Sequence, residues 1–278
     1  MKFQFLGTAA AEGIPGMFCE CATCRAARKN GGKDYRTRSQ AIIDGRLLID
    51  FGADTYLHSL LYHLDLPRVE ACLITHAHAD HLYPGDIATR QWGYAARKPD
   101  APEKLPFYGS SPVGKKVRGV IGDNCDCNYA SFTEVHAFEP FEAAGYTVTP
   151  LPGRHDPGAG PLLYVIEKDG KAVFYGHDTG PLYDEIWDWI EKEHKHFDLV
   201  TLDCVGGASV LEYDAHSDIW QDRMVKKRML ALGAADENTL FFVNHFAHDA
   251  RIVLYDELKP IADRCGLLLS HDGLEVEF

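Results

Sequence analysis

No stretch of the chain approaches the roughly 18 consecutive apolar residues that a membrane-spanning helix needs, so no span is expected. The opening Met1-Lys2-Phe3-Gln4-Phe5-Leu6-Gly7 has no long apolar run ahead of a cleavage site. It reads as a first β-strand rather than a secretory leader, which makes the cytoplasm the expected compartment. Basic residues are scarce: 28 Lys and Arg stand against 41 Asp and Glu, for a net charge of −13. An acidic surface repels phosphate backbones, so a nucleic-acid partner is disfavoured unless a local basic patch exists. The densest basic runs, Lys115-Lys116-Val117-Arg118 and Lys226-Lys227-Arg228, read as solvated helix faces. Repeats, low-complexity segments and long linkers are also missing. The 278 residues are therefore expected to form a single domain, residues 1–278, large enough to bury a core without disulfides.

What is present is turn chemistry and apolar patterning. Gln40 to Ile43 and Arg46 to Asp50 flank Asp44-Gly45, and Leu162 to Lys168 and Lys171 to Tyr175 flank Asp169-Gly170. Both read as hairpins on the favoured Asp-Gly turn. A third pair, Asp272-Gly273, precedes Leu274 to Phe278. Apolar runs at Ala71 to Thr75, Tyr146 to Leu151, Leu199 to Asp203 and Leu240 to Asn244 read as buried strands. Helical periodicity appears over Thr55 to Leu64, Leu182 to His194, Ile219 to Leu232 and Arg251 to Cys265. Hairpins followed by strand–helix units suggest two sheets packed face to face with helices outside.

Directly after the first buried strand comes Thr75-His76-Ala77-His78-Ala79-Asp80-His81. Imidazole and carboxylate suit borderline-to-hard divalent ions such as zinc, manganese or iron. In an extended chain, positions 76, 78 and 80 would face one side, and His81 would turn toward a second ion. The spacing thus suggests two ions in one site, against the blander alternative of an exposed polar loop.

This H-x-H-x-D-H pattern resembles the signature of the metallo-β-lactamase superfamily, and the likeness extends from Phe3 to Asp272. It implies an α/β, four-layer αββα sandwich. His155 in Leu151-Pro152-Gly153-Arg154-His155 fits the family's third histidine, Asp178 in Gly176-His177-Asp178-Thr179-Gly180 its bridging aspartate, and His245 in Val243-Asn244-His245 its last histidine. Asp50-Phe51-Gly52 resembles the turn whose aspartate orients the ligand loop. The resemblance gives one divalent ion, zinc or manganese, to His76, His78 and His155. It gives a second to Asp80, His81 and His245, with Asp178 bridging. His177 has an equal claim as a residue type, and order and context favour Asp178; His177 then remains as an outer donor.

Cys19-Glu20-Cys21-Ala22-Thr23-Cys24 offers three thiols within six residues. That density suits a closed structural zinc site, with His248, three residues beyond His245, as fourth ligand. Buried free thiols are the alternative, and Cys125 and Cys127 are read as free. Gly7-Thr8-Ala9-Ala10-Ala11-Glu12-Gly13 followed by these cysteines is similar to one branch of the superfamily, the cyclic phosphodiesterases of the carbon–phosphorus lyase pathway. The hydrolase of pyrroloquinoline quinone biosynthesis is a near relative with similar cysteines. The branch implies opening of a small cyclic sugar phosphate, such as 5-phosphoribosyl 1,2-cyclic phosphate. It also implies that His216, in Asp214-Ala215-His216-Ser217, protonates the leaving oxygen; alternatively, or in addition, this segment is an N-cap region in which Ser217 starts the helix from Ile219. Asp80 and His216 are thus the residues assigned to the catalytic step.

The expected partner is a small-molecule phosphodiester. Alternatives are a 3′ tRNA-processing-type nuclease, disfavoured by charge, a lactonase or thioesterase, and a metal-binding biosynthetic accessory protein. The 66 residues between Asp178 and His245, with Trp187-Asp188-Trp189, suggest an insertion that reshapes the pocket or forms a homodimer contact. Gly-rich Val205 to Ser209 reads mainly as a turn.

Overall fold

A computed structural model describes all residues except Trp92, Arg97, Lys98, Asp100 and Cys125. Cys125, read above as a free thiol, thus lies outside the described residues. The chain runs through β1 (Lys2–Gly7), α1 (Ala22–Asn30), β2 (Gln40–Ile43), β3 (Leu47–Ile49), α2 (Thr55–Leu61) and β4 (Ala71–Leu73). It continues through β5 (Leu105–Gly109), α3 (Ser111–Ile121), β6 (Ala130–Glu134), β7 (Phe141–Ala143), β8 (Tyr146–Pro152), β9 (Leu162–Lys168) and β10 (Lys171–Gly176). The last part holds α4 (Asp184–Lys192), β11 (Leu199–Asp203), α5 (Ile219–Ala231), β12 (Leu240–Asn244), α6 (Tyr255–Cys265), β13 (Leu268–Leu269) and β14 (Glu275–Glu277).

The strands form two seven-stranded mixed sheets, ordered β14-β1-β2-β3-β4-β5-β6 and β13-β12-β11-β10-β9-β8-β7. Both Asp-Gly hairpins form, at Asp44-Gly45 and Asp169-Gly170, with all four residues at positive φ as a mirror-image turn requires. Asp272-Gly273 does something else: it carries the chain from β13 in one sheet to β14 in the other.

Successive strand residues point to opposite faces, and here both faces are buried. Phe3, Phe5, Ile43, Leu47, Ile49 and Leu73 of the first sheet meet Tyr146, Tyr164, Ile166, Val173, Tyr175 and Phe242 of the second. Their neighbours in sequence, Ile42, Leu48 and Cys72, face outward onto Val113, Val117 and Ile121 of α3. The outer face of the second sheet is covered by Ile186, Trp187 and Ile190 of α4, Ile219 and Met229 of α5 and Leu258 of α6. This is the layered α/β metallo-β-lactamase sandwich. Full burial of one such side chain contributes roughly 1.5–3 kcal/mol, so these three layers hold the strand ends rigidly.

The segment from 179 to 244 is not an insertion. It supplies α4, β11, α5 and all of β12, which are regular parts of the second sheet and its cover. Trp187 is buried against that sheet, and Trp189 packs on Phe138 and under the Lys195 ammonium. Among the described residues no helix is long and apolar enough to cross a membrane.

Candidate metal centre

The strands carrying the candidate residues run the same way, so their C-terminal ends meet at one edge of the sandwich. Asp50 follows β3, the histidine loop follows β4, His155 follows β8, Asp178 follows β10, Asp203 ends β11 and His245 follows β12. Asp50, Asp178 and His245 all hold positive φ, at 68°, 53° and 62°. A side chain in that region costs of order 1–3 kcal/mol, which the surrounding layers must offset.

Asp50 is fully buried and organises the loop above it. Its Oδ1 accepts from the Thr75 N–H at 2.8 Å and the Thr75 hydroxyl at 2.9 Å, and its Oδ2 accepts from His81 Nδ1 at 2.6 Å. Gly52 lies so close to the carbonyl of Asp80 that a Cβ there would collide with it. The loop itself is a turn, not extended chain: the His81 and Leu82 amides both donate to the carbonyl of His78. The expected one-sided alternation of 76, 78 and 80 therefore fails. His76 and His78 gather with His155, while the turn sends Asp80 with His81 toward Asp178 and His245.

The contacts inside these groups are those of ligands converging on a common point. His155 Nε2 lies 3.1 Å from His78 Nδ1. Asp178 Oδ2 lies 2.6 Å from His81 Nε2 and 3.0 Å from His245 Nε2, while Asp80 Oδ2 lies 3.2 Å from His81 Nε2. Asp178 also faces the other group, 3.9 Å from His76 Nε2 and 3.8 Å from His155 Nε2. Yet His76 Nε2, His81 Nε2, His245 Nε2 and Asp178 Oδ2 are buried without a hydrogen bond of acceptable geometry. Buried polar atoms are normally satisfied, and metal cations held in the two groups would satisfy all four. The donor set therefore fits a divalent metal site.

The electrostatics agree. Burial lowers His76 well below its ordinary value and also lowers His155. Burial pulls His81 and His245 down too, but carboxylates win: Asp50, Asp178 and Asp80 lift His81 well above its ordinary value, and Asp178 with Asp203 lifts His245 to about 10. Burial would raise Asp178, but His245, His81 and His76 hold it well below the usual carboxylate range. The buried carboxylates thus favour the cationic forms of His81 and His245, and a divalent ion could take the place of that positive charge.

His216 also reaches this centre. Its Nδ1 donates to Asp203 Oδ2 at 3.0 Å and lies 3.6 Å from Asp178 Oδ1, and its ring meets that of His155 at 4.8 Å. Burial works against its charge, but Asp203 raises its pKa above the ordinary 6.5. The helix starts at Ile219 as expected, but its cap is Asp218 rather than Ser217: Asp218 Oδ1 accepts from the Trp220 and Gln221 amides. The Ser217 amide donates to Asp203.

Asp203 is the functional residue that the sequence reading missed. Besides holding His216, it accepts from the amides of Asp178, Val205 and Ser217, and lies 3.3 Å from His245 Nδ1. The available signal was its position, a carboxylate closing a buried apolar strand as Asp50 does. His177 points elsewhere, its Nδ1 lying 3.3 Å from Asn244 and 3.5 Å from Ser39, and burial pushes its pKa down to about 3. Val205 lines the cavity, while Gly207 sits at φ 52° in the turn that follows.

A cavity of about 190 Å³ opens over the centre, lined by Glu12, Asp80, Asp178, Tyr213, His216 and His245 among others. A larger one, about 630 Å³, lies beside it between residues 12–17 and α2, away from the imidazoles. Chemistry, not volume, selects the first.

The thiols form a separate cluster. Cys19, Cys21, Cys24 and His248 bring their ligand atoms within 4.8 Å of one another, with His248 Nδ1 3.6 Å from Cys19 Sγ and 3.7 Å from Cys21 Sγ. Cys21 caps α1. Burial would raise its pKa, but the Cys24 amide and His248 lower it to about 6, while burial pushes Cys24 up to about 12. Gly16 leaves the room: a Cβ there would come within 3.1 Å of both Cys19 and His248. Cys127 is a free thiol whose Sγ faces the Ala130 carbonyl, apart from this cluster.

A family model described as a beta-lactamase superfamily domain matches residues 45–236. No curated protein matches the chain in sequence. Among solved structures, a diphosphatase of the PhnP family superposes with a TM-score of 0.71 at 22% identity, covering 100% of this chain and 97% of its own. Zn(2+)-bound PqqB from Methylobacterium extorquens does so with 0.71 at 17%, covering 100% of both chains. Human tRNase Z, short form, follows with 0.64 at 15%, covering 100% of this chain and 99% of its own. At these identities the shared property is the fold.

Proposed function

The chain belongs to the beta-lactamase superfamily, and from that membership we propose that it is a metal-dependent hydrolase opening a small, cyclic sugar or nucleotide phosphodiester. In this reading His76, His78 and His155 hold one ion, and Asp80, His81 and His245 hold a second. Asp178, which faces both groups, is shared between them. A zinc in the thiol cluster ties residues 19–24 to the segment carrying His245. When bound, divalent ions in the His/Asp centre would supply Lewis acidity toward a phosphoryl oxygen and lower the pKa of a water.

The observation that carries the phosphodiester reading is the His216–Asp203 pair beside Asp178, at the wall of a compact polar cavity. Asp203 orients the imidazole through Nδ1 and favours its protonated form, whose Nε2–H can serve a leaving oxygen. A sugar alkoxide needs such a proton and an acyl thiolate does not, so the pair favours an oxygen leaving group over a thioester. Two of the structural neighbours are a diphosphatase and tRNase Z, names that denote cleavage at phosphorus and support the same direction.

The test is turnover of bis(p-nitrophenyl) phosphate beside a 1,2-cyclic ribose phosphate, with zinc or manganese added. Asp80→Ala should abolish both. His216→Gln should slow the cyclic ester by roughly 10²–10⁴-fold but the p-nitrophenyl ester by less than about tenfold, since p-nitrophenolate leaves unprotonated. A metal-loaded protein that cleaves lactones or thioesters and neither phosphodiester would overturn the proposal.

A further inference from the structure

Each imidazole of the His/Asp centre can offer one bare nitrogen to a cation only if its other nitrogen carries the proton and has an acceptor. His81 uses the buried Asp50 carboxylate. His155 uses the carbonyl of Ala215, 3.2 Å from its Nδ1; a carbonyl only accepts, so Nδ1 is protonated and Nε2 is bare. His76 has the Thr75 hydroxyl 3.1 Å from Nδ1. His78 is the exception in kind: its Nε2 lies 3.2 Å from Oδ2 of Asp156, an exposed residue in the loop after β8.

We infer that Asp156 is a positioning residue that locks His78 in the tautomer whose Nδ1 is free to bind a cation, and so sets the affinity of one ion position but not the other. A carboxylate is acceptor-only, so Nε2 carries the hydrogen, and in the neutral ring that a cation requires Nδ1 is then bare. That bare Nδ1 then faces the bare Nε2 of His155 at 3.1 Å. Two lone pairs at that distance repel unless a cation sits between them. His81 and His155 have partners fixed in the fold, whereas the partner of His78 is a solvent-facing side chain. The His76–His78–His155 position therefore depends on one surface carboxylate.

Asp156 divides its two oxygens, and this makes the idea testable. Oδ1 accepts from the Gly158 amide at 2.8 Å and caps the short turn that follows; only Oδ2 faces His78. In Asp156→Asn the remaining oxygen keeps the cap while the amide NH₂ faces Nε2. An NH₂ donates, so Nε2 must give up its proton and Nδ1 takes it. The inference rests on the metal-centre reading above, and two measurements separate their failures. The first is zinc affinity by chelator competition on the wild type and Asp156→Asn. One ion of the His/Asp centre should weaken by about 10–100-fold, with the other unchanged, and Asp156→Glu should recover part of the loss. The second is the ¹⁵N shifts of His78 in the metal-free protein, which should report a bare Nδ1 in the wild type and a protonated Nδ1 in the variant. If no zinc binds the centre at all, the metal reading fails, and the tautomer still reports on Asp156. An unchanged tautomer overturns the inference, even if affinity falls, because the effect would then be structural.

Discussion

The His/Asp centre and the thiol cluster share a wall of the molecule, and Glu12 borders the cavities over both. They are nonetheless built by different means. The first draws its residues from strand ends spread between Asp50 and His245 in both sheets, with left-handed backbone at Asp50, Asp178 and His245. The second needs six consecutive residues, the first turn of α1 and one imidazole from across the pocket. One is a property of the whole fold, rigid and preorganised; the other is a local clasp laid over it. The clasp should therefore govern stability and the centre should govern chemistry.

Breaking the centre should have the largest effect. Asp178→Ala removes the carboxylate facing both groups, and several kcal/mol of charge stabilisation correspond to a loss of about a thousandfold or more in diesterase turnover. Metal analysis should show the His/Asp ions lost and the thiol-bound ion kept. Asp203→Asn comes next. Asp203 raises the His216 pKa above its ordinary value, so the protonated imidazole is lost as pH rises through that raised value. Activity on a cyclic ribose phosphate should fall along an alkaline limb. In Asp203→Asn the limb should move to lower pH, with turnover at neutral pH down by roughly 10²-fold; an unmoved limb would assign the titration to another group.

Cys21→Ser should sharpen the contrast from the other side. Losing the clasp should lower the melting temperature by about 5 °C or more, because metal binding there is folding free energy. The metal-replete variant should keep activity within about tenfold of wild type, since no reacting group is touched. A thousandfold loss would mean that the clasp belongs to the catalytic machinery. The smallest effect is expected at the loop that delivers His216: Asp218→Ala should cost roughly 1 kcal/mol as a lost helix cap, against a few tenths for Ser217→Ala, measured by denaturant unfolding.

The same contrast explains what the amino-acid order disclosed. The thiols were legible because ligand spacing is local, and the histidine loop because a polar cluster closes an apolar strand. Strand ends at His155, Asp178 and His245 followed through resemblance rather than from their own residues. Asp203 escaped because Asp203-Cys204-Val205-Gly206-Gly207 reads as strand running into turn, and only the packing of β11 between β10 and β12 puts it under two imidazoles. The turn at His78–His81 overrode the alternation expected of extended chain. In α3, Pro112 and Gly114 weaken the helical signal, though proline suits a first turn and Gly114 is where Phe132 packs closest. Strands β5, β6 and β7 are short, and the latter two are partly exposed sheet edges, so their pattern carries little contrast.

The most direct test of two centres with separate duties is a metal count per chain on the purified protein, repeated on Asp178→Ala and Cys21→Ser. The account predicts two ions that depend on Asp178 and one that depends on Cys21, each lost without the other. A wild-type protein that binds no ion through its His/Asp centre, or a Cys21→Ser protein that loses every ion, would contradict it.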